Sequence, residues 1–148
     1  MSQENVEAAR RTMEAYRRGD YDAAAAYLAP DVVWSVGQER PAHGRAAVRE
    51  MWKRWDDEWD ELDTVIEEAI DAGDKVLVAV RYRGRGRVSG VEVNDRQYEV
   101  HTFRHGLCVR RLPRAGRRPR GRRAFGVGRS PTRRARFSAA ASYASAQR

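Results

Sequence analysis

The sequence predicts an α+β domain in which helices come first and an antiparallel sheet follows. The main observation is an amphipathic helix over residues 45–62, whose apolar positions fall on one face. These positions are Val48, Met51, Trp52, Trp55, Trp59 and Leu62. After Asp63 the period of the apolar residues changes to that of β-strands. The length of 148 residues suits one domain of this kind.

Two shorter helices are predicted before the amphipathic helix. A helix over residues 2–18 has apolar residues at helical spacing, and Gly19 can end it. Asp20 can cap a second helix over residues 20–28, which Pro30 would end. Each helix therefore has a start or stop signal of its own.

The β-prone segments are short and separated by turn signals. They cover residues 32–36, 64–70, 75–82, 87–93, 96–103 and 107–112. Residues 94–95 (Asn-Asp) and 105–106 (His-Gly) are hairpin signals. The predicted order is two helices, a strand, a third helix and then a run of strands, which is typical of the α+β class. A curved meander covered by helices forms a pocket whose walls are strand side chains.

The net charge of +8 is distributed unevenly along the chain. Residues 1–106 hold 16 Lys+Arg and 21 Asp+Glu, a net charge of −5. Residues 107–148 hold 13 Arg and no acidic residue, a net charge of +13. A basic total usually indicates a nucleic-acid or membrane partner, but here the excess lies wholly in the last 42 residues.

Several protein classes are disfavoured by the composition. No segment approaches the roughly 18 consecutive apolar residues of a membrane helix, and the first residues lack the features of a secretory signal. Cys108 is a single cysteine, and with three histidines it leaves too few ligands for a structural zinc site. We therefore expect a cytoplasmic protein with no membrane partner, no metal and no organic cofactor, in which Cys108 is buried and unreactive.

Four segments resemble the SnoaL-like family of the nuclear transport factor 2-like superfamily. They are Arg-Gly-Asp-Tyr at 18–21, Leu-Ala-Pro-Asp-Val at 28–32, Pro-Ala-His-Gly leading into a helix at 41–49, and Thr-Phe-Arg-His-Gly at 102–106. The resemblance covers about residues 3–112. It implies a cone-shaped α+β fold, with three N-terminal helices packed on a curved antiparallel sheet, and a homodimer. The superfamily includes polyketide cyclases, ketosteroid isomerases, epoxide hydrolases and non-catalytic members, so the fold alone does not assign a reaction.

The resemblance can be followed residue by residue for the ketosteroid isomerases. Their general base falls on Ser35 or Val36, and their helix-1 tyrosine falls near Thr12, with Tyr16 one turn later. Neither role is filled. Their oxyanion-stabilising acid falls on Glu99, which keeps a carboxyl group. The Asp-Arg-Asp set of the epoxide hydrolases is not found.

Glu99 and His101 are the candidate catalytic residues. They share one face of their strand with Phe103, because side chains alternate along a strand. If this face lines the pocket, the carboxyl group would have a raised pKa and would form a proton-transfer pair with the imidazole. The alternative places both residues on the open face of the sheet, paired with Arg81 or Arg83 or facing a dimer partner.

The candidate ligand-binding residues are aromatic: Tyr16, Trp34, Trp55 and Phe103. Together they could surround a flat hydrophobic molecule. Packing of the helix over residues 45–62 against the sheet explains its tryptophan stripe more simply, because helically spaced aromatic residues usually mark a buried face.

The leading functional hypothesis is a small-molecule-binding domain over residues 1–112. It would act as a proton-transfer lyase, cyclase or isomerase on a hydrophobic carbonyl compound. The first alternative is a non-catalytic ligand-binding or dimer scaffold. The second is binding of nucleic acid or another polyanion through the arginine-rich segment.

The arginine-rich tail over residues 113–148 is not expected to fold by itself. It contains no Lys and no acid. Arg codons of a GC-rich gene carry G in the middle position, so a shift of one base converts them into codons that begin with G, which include those for Ala, Asp and Glu. A change of reading frame near residues 110–112 would therefore explain the charge reversal, the loss of Lys and the missing family-like end of the chain. Nucleic-acid binding requires instead that the tail be genuine.

Overall fold

The computed structural model describes residues 2–37 and 39–114. Within these residues the chain forms three helices and six strands. The helices are α1 (Ser2–Arg17), α2 (Tyr21–Ala25) and α3 (Arg45–Asp57). The strands are β1 (Leu28–Trp34), β2 (Ala42–His43), β3 (Trp59–Ala72), β4 (Lys75–Gly86), β5 (Glu92–Arg104) and β6 (Leu107–Pro113). None of these helices is long and apolar enough to cross a membrane.

The six strands form one curved, unclosed sheet in the order β2-β1-β6-β5-β4-β3. The α+β class is confirmed. Strands β3 to β6 form an antiparallel meander, whereas β1 pairs with β6 in parallel. Parallel neighbours need a long connection between them. Here the connection is α3 together with the whole meander, so the sheet has one parallel pair that the sequence did not predict.

A glycine ends the first helix, and the start of the first strand limits the length of the second. Gly19 has a positive φ of 76° and follows α1 as its stop residue. The Asp20 side chain accepts a hydrogen bond from the backbone N–H of Ala23 at 3.0 Å, which caps α2. The prediction that α2 reaches Leu28 is wrong, because Leu28 already belongs to β1. Pro30 lies inside β1. The register between β1 and β6 shifts between Leu28 and Val33, which lie on either side of Pro30.

The third helix is shorter than its apolar stripe. It ends at Asp57, and Trp59 and Leu62 belong to β3. Leu62 pairs with Gly84, and the register between β3 and β4 shifts just after Trp59. The pairing with β4 therefore overrides the helical period, while both side chains still face the interior.

The last hairpins also differ in part from the prediction. The turn at residues 105–106 is confirmed, since both residues have positive φ, 52° and 76°. The predicted break at residues 94–95 is wrong, because these residues pair with β4 inside the long strand β5. The chain turns at residues 87–91 instead, where Gly90 has a φ of 65° and its N–H donates to the carbonyl of Gly86 at 2.9 Å.

The core lies between the helices and the concave face of the sheet. Its fully buried members include Val32, Val48, Val76, Val78 and Val80. Alternation along β4 and β5 puts one row of side chains of each strand on this face. On this face α1 contacts β3, β4 and β6, and α3 contacts β1, β2 and β3. Any polar residue in that row faces a covered, low-dielectric space.

The predicted boundary at residue 112 lies within the last strand, which continues to Pro113. The backbone N–H of Arg114 donates to the carbonyl of Tyr98 at 2.8 Å, which attaches this residue to the sheet as well. The remainder of the predicted tail, residues 115–148, lies outside the described residues.

Candidate functional site

A cavity of about 240 Å³ lies between α1, α3 and the concave face of the sheet. Most of its wall is aromatic or apolar, and polar residues of β5 and β6 form one side. The aromatic residues of the wall are Tyr16, Trp34, Trp52, Trp55 and Tyr82. The polar side on β5 and β6 is formed by Glu99, His101 and Arg111, and the charged residues Glu39, Arg54 and Glu58 also line the cavity.

Glu99 and His101 lie on the inner face of β5. Only 2% of Glu99 and 5% of His101 is exposed, and both residues line the cavity. The alternative interpretation, in which the pair lies on the open face of the sheet, is wrong. The alternation of side chains along β5 thus directs the two candidate catalytic residues into the cavity.

The carboxylate of Glu99 is held by three side chains. Its Oε1 accepts hydrogen bonds from the Tyr82 hydroxyl at 2.6 Å and from Nη2 of Arg111. Its Oε2 lies 2.9 Å from Nε2 of His101. Nη1 of Arg111 donates to the backbone carbonyl of Ser35 in the segment after β1. Glu99 is therefore bonded on both oxygens.

Arg111 lowers the pKa of Glu99, whereas the sequence predicted a raised pKa. Burial by itself would raise the pKa of Glu99, but the charge of Arg111 and the hydrogen bond with His101 hold the pKa well below its usual range. The prediction of a raised pKa is therefore wrong. It considered the apolar surroundings of the carboxyl group and not a buried cation beside it. Glu99 is ionised at neutral pH.

Arg111 and Tyr82 are the site residues that sequence reasoning missed. Arg111 directly faces His101 across the β5–β6 pairing, but the register depends on a shift between Thr102 and Phe103. Arginine on a strand usually faces solvent, so residue type alone gave no signal. The available signal was electrostatic: a carboxyl group on a covered face needs a basic partner on the neighbouring strand.

Three side chains form a row across β1, β6 and β5. Trp34 pairs with Arg111, and Arg111 pairs with His101. The guanidinium carbon of Arg111 lies 5.5 Å from the ring centroid of Trp34. The rings of Trp34 and His101 are 5.6 Å apart and inclined by 71°. This packing fixes the orientation of the imidazole at the cavity wall.

Three of the four predicted ligand-binding residues line the cavity: Tyr16, Trp34 and Trp55. Phe103 does not. It is buried in the core, where its backbone N–H donates to the carbonyl of Asp74 at 2.7 Å. It lies beyond His101, toward the hairpin that joins β5 and β6, and so it packs past the end of the cavity. Trp52 is buried in the core and also lines the cavity.

A tyrosine cluster joins the three helices beside the cavity. The hydroxyls of Tyr16 and Tyr21 both donate to the carboxylate of Asp56. Burial and the neighbouring carboxylate raise the pKa of Tyr21. The rings of Tyr16 and Trp52 are 5.7 Å apart in an edge-to-face arrangement. The cluster holds the ends of α1 and α3 together at the cavity wall.

Cys108 is buried, as predicted, with 1% of its surface exposed. Burial raises the pKa of its thiol to about 12, so the reactive thiolate is scarce at neutral pH. Within residues 2–37 and 39–114, no group of three or more His, Cys, Asp or Glu side chains is arranged to hold a metal ion.

Comparison with known proteins agrees with this architecture. The SnoaL-like domain family matches residues 9–111. A nuclear transport factor 2-like protein of unknown function from Burkholderia pseudomallei K96243 is 24% identical over 74% of this chain and 88% of its own, with a TM-score of 0.69. No curated protein matches the sequence significantly.

Two structures with similar folds have been proposed to be polyketide cyclases. One, from Jannaschia sp. CCS1, is 18% identical over 76% of this chain and 87% of its own, with a TM-score of 0.68. The other, from Xanthomonas campestris pv. campestris, is 22% identical over 76% and 90%, with a TM-score of 0.61. These likenesses show the fold. The chain therefore belongs to the SnoaL-like domain family, with the cone-shaped α+β fold of nuclear transport factor 2-like proteins.

Proposed function

We propose that this protein binds a hydrophobic carbonyl compound in the cavity and moves a proton on it, with His101 as the base. The observation that carries the proposal is the buried Glu99–His101 pair at the wall of a cavity lined largely by aromatic and apolar side chains. Convergent polar groups in an apolar pocket are typical of small-molecule sites. The proposed cyclase activity of two proteins with this fold supports the same class of reaction.

The roles of the two residues differ. An ionised carboxylate can only accept hydrogen bonds, so Nε2 of His101 carries the proton that faces Glu99. Nδ1 then carries the lone pair and is the basic atom. Glu99 is a positioning residue, which selects the tautomer of His101 and stabilises the imidazolium that forms when Nδ1 takes a proton.

Arg111 places positive charge at this wall, although its guanidinium is paired with Glu99. Removal of a proton next to a carbonyl group creates an enolate, whose oxygen is negatively charged. A guanidinium at the wall of a covered cavity stabilises that charge more strongly than it would in water. Return of the proton from His101 to another carbon of the ligand completes an isomerisation. In a cyclisation the enolate carbon forms a bond to a second carbonyl carbon of the ligand, and the oxygen of that carbonyl takes the proton from His101. In an elimination the enolate expels a β-hydroxyl group, which takes the proton from His101 and leaves as water.

The test is deuterium exchange, which needs no knowledge of the natural substrate. β-Tetralone, a two-ring ketone, is incubated with the protein in D₂O, and loss of the proton signals next to the carbonyl group is followed by NMR. We expect the protein to accelerate the exchange and His101→Gln to reduce the acceleration by about 100-fold or more. Glu99→Gln is also expected to reduce it, because the tautomer is no longer selected.

The control is His43→Gln, since His43 is exposed on β2 and does not line the cavity. This variant should exchange the ketone at the wild-type rate. Undiminished exchange by His101→Gln would refute the assignment of the base. Undiminished exchange by Glu99→Gln would refute the positioning role.

A second candidate function is ligand binding without catalysis. It is favoured by the strong pairing of Glu99 with Arg111, which is also what a purely structural ion pair would show. Binding of β-tetralone by calorimetry without accelerated exchange would assign the protein to this class. The homodimer implied by the family is likewise a proposal, and sedimentation of the purified chain tests it.

A further inference from the structure

An open groove of about 600 Å³ lies beside the cavity, along the end of α1 and the first half of β3. It shares Tyr16 and Thr64 with the cavity, so these two residues stand at the junction of the two spaces. The wall of the groove is mainly polar, in contrast to the aromatic wall of the cavity. A ligand that crosses the junction would meet two different environments.

Two residues that line this groove each carry a buried polar group. The hydroxyl of Thr64 and Nε1 of the Trp59 indole have no hydrogen-bond partner among the described residues. Thr64 is 2% exposed and Trp59 is 3% exposed. Burial of a polar group without a partner destabilises the fold, so each group calls for an explanation. Both groups can donate a hydrogen bond.

The direction of the Trp59 indole follows from a glycine on the neighbouring strand. A Cβ placed on Gly84 would lie 2.6 Å from Cε3 of Trp59, so the ring rests on the bare backbone of this residue. Cε3 and Nε1 are on opposite sides of the indole. The contact with Gly84 therefore directs Nε1 away from β4.

The charges around the groove define the kind of group that these donors would accept. The groove is lined by four acidic residues and two arginines. Arg17 is already paired with Asp63 at 2.8 Å. An anionic ligand would therefore meet net repulsion, whereas a neutral oxygen atom would not.

We propose that Thr64 and Trp59 form a polar subsite for a neutral oxygen substituent, such as a hydroxyl or a carbonyl, on a hydrophobic ligand. The opposite end of the ligand, with its reactive carbonyl group, lies at His101. The inference rests on the proposed function, because that function places the carbonyl end. The β4 partners of Thr64 and His101 are Tyr82 and Val76, so the two ends of the ligand lie at different levels of the sheet. The ligand is therefore elongated.

The first experiment needs no ligand. Thr64→Val removes the hydroxyl and keeps the shape of the side chain. The matched control is Thr12→Val: Thr12 lines the same cavity, but its buried hydroxyl donates to the Ala8 carbonyl at 2.8 Å. We expect the melting temperature to be unchanged or higher in Thr64→Val and lower in Thr12→Val. A fall of more than about 4 °C in Thr64→Val would show that this hydroxyl serves the fold and would overturn the proposal.

The second experiment measures ligand preference by calorimetry. The probes are the linear three-ring homologue of β-tetralone and its derivatives with a hydroxyl or a carboxylate on the ring farthest from the ketone. The wild-type protein should bind the hydroxyl derivative about two- to tenfold more tightly than the parent, and the carboxylate more weakly. Thr64→Val should abolish the preference for the hydroxyl derivative. Thr102→Val, on the outer face of β5, should retain it.

The outcomes separate the subsite from the proposed function. Equal binding of parent and hydroxyl derivative by the wild-type protein would overturn the subsite and leave ketone binding intact. A preference that persists in Thr64→Val would also overturn the assignment to Thr64. Failure of every probe to bind would overturn the proposed function for this ligand class, and the subsite with it.

Discussion

Arg111 and Glu99 form an ion pair across β6 and β5 in which both side chains are almost completely buried, with 2% and 3% of their surface exposed. Burial of two charges costs free energy, which the attraction between them offsets only when the remaining hydrogen bonds are also made. Here Tyr82 and His101 bond the carboxylate, and the Ser35 carbonyl accepts a bond from the guanidinium. The pair is therefore stable as a unit and sensitive to the loss of either member.

Removal of one partner should destabilise the protein strongly. Glu99→Gln leaves the buried guanidinium of Arg111 without its counter-charge, which typically costs about 3–5 kcal/mol of the free energy of unfolding. The double variant Glu99→Gln/Arg111→Met removes both charges and should recover most of this loss. Urea unfolding of the single and double variants measures the difference. A single variant as stable as the wild type would mean that the buried pair is not formed.

The same pair predicts how stability depends on pH. Because the pKa of Glu99 is lowered in the folded protein, its contribution is fully present above the pKa of an unfolded glutamate, about 4.3. The contribution is lost as the pH falls below that value toward the lower pKa of the native state. Urea unfolding between about pH 3 and pH 7 should therefore show a steeper acid loss in the wild type than in Glu99→Gln/Arg111→Met. Identical slopes would contradict the lowered pKa.

Tyr82→Phe should weaken the site without abolishing it. The Tyr82 hydroxyl donates to an ionised, buried carboxylate at 2.6 Å, and such bonds contribute about 1.5–3 kcal/mol. Tyr98→Phe is the matched control, because the Tyr98 hydroxyl accepts a bond from Arg96 at an exposed position. Thermal unfolding should show a clear loss for Tyr82→Phe and almost none for Tyr98→Phe. Equal losses of stability in the two variants would show that the buried hydrogen bond to Glu99 contributes no more than the exposed one.

The position of Arg111 also limits where a change of reading frame could lie. Because Arg111 holds Glu99 and the family match reaches residue 111, this arginine belongs to the domain. We therefore expect any change of reading frame to lie after its codon. Resequencing of the gene from the codon of Glu99 onward tests this. An inserted or missing base after the Arg111 codon would show that the tail comes from a changed reading frame, and no function would then be assigned to the tail.

An unchanged reading frame would make the tail a genuine part of the protein. We then expect the full chain to bind a DNA oligonucleotide with an affinity that falls steeply as the salt concentration rises. A chain that ends at Arg114 should not bind it. Salt-independent binding, or equal binding by both chains, would contradict an electrostatic role for the tail.

The elements whose signals are local could be predicted from the amino-acid sequence alone. Gly19 and the cap at Asp20 define the ends of the first helices, and residues 105–106 form the predicted hairpin, because a positive φ or a capping side chain acts within a few residues. Alternation along β5 was sufficient to place Glu99 and His101 on one face.

Which face of β5 is covered, and which side chains contact it there, depends on the pairing of strands that are distant in the chain. Arg111 lies opposite His101 because the register of β5 and β6 shifts at one position, and Trp34 joins them because β1 pairs in parallel with β6. Neither pairing has a local signal, since both join residues that are distant in the chain. The charge state of Glu99 depends on these contacts, and so the chemistry of the site could not be read from its own strand alone.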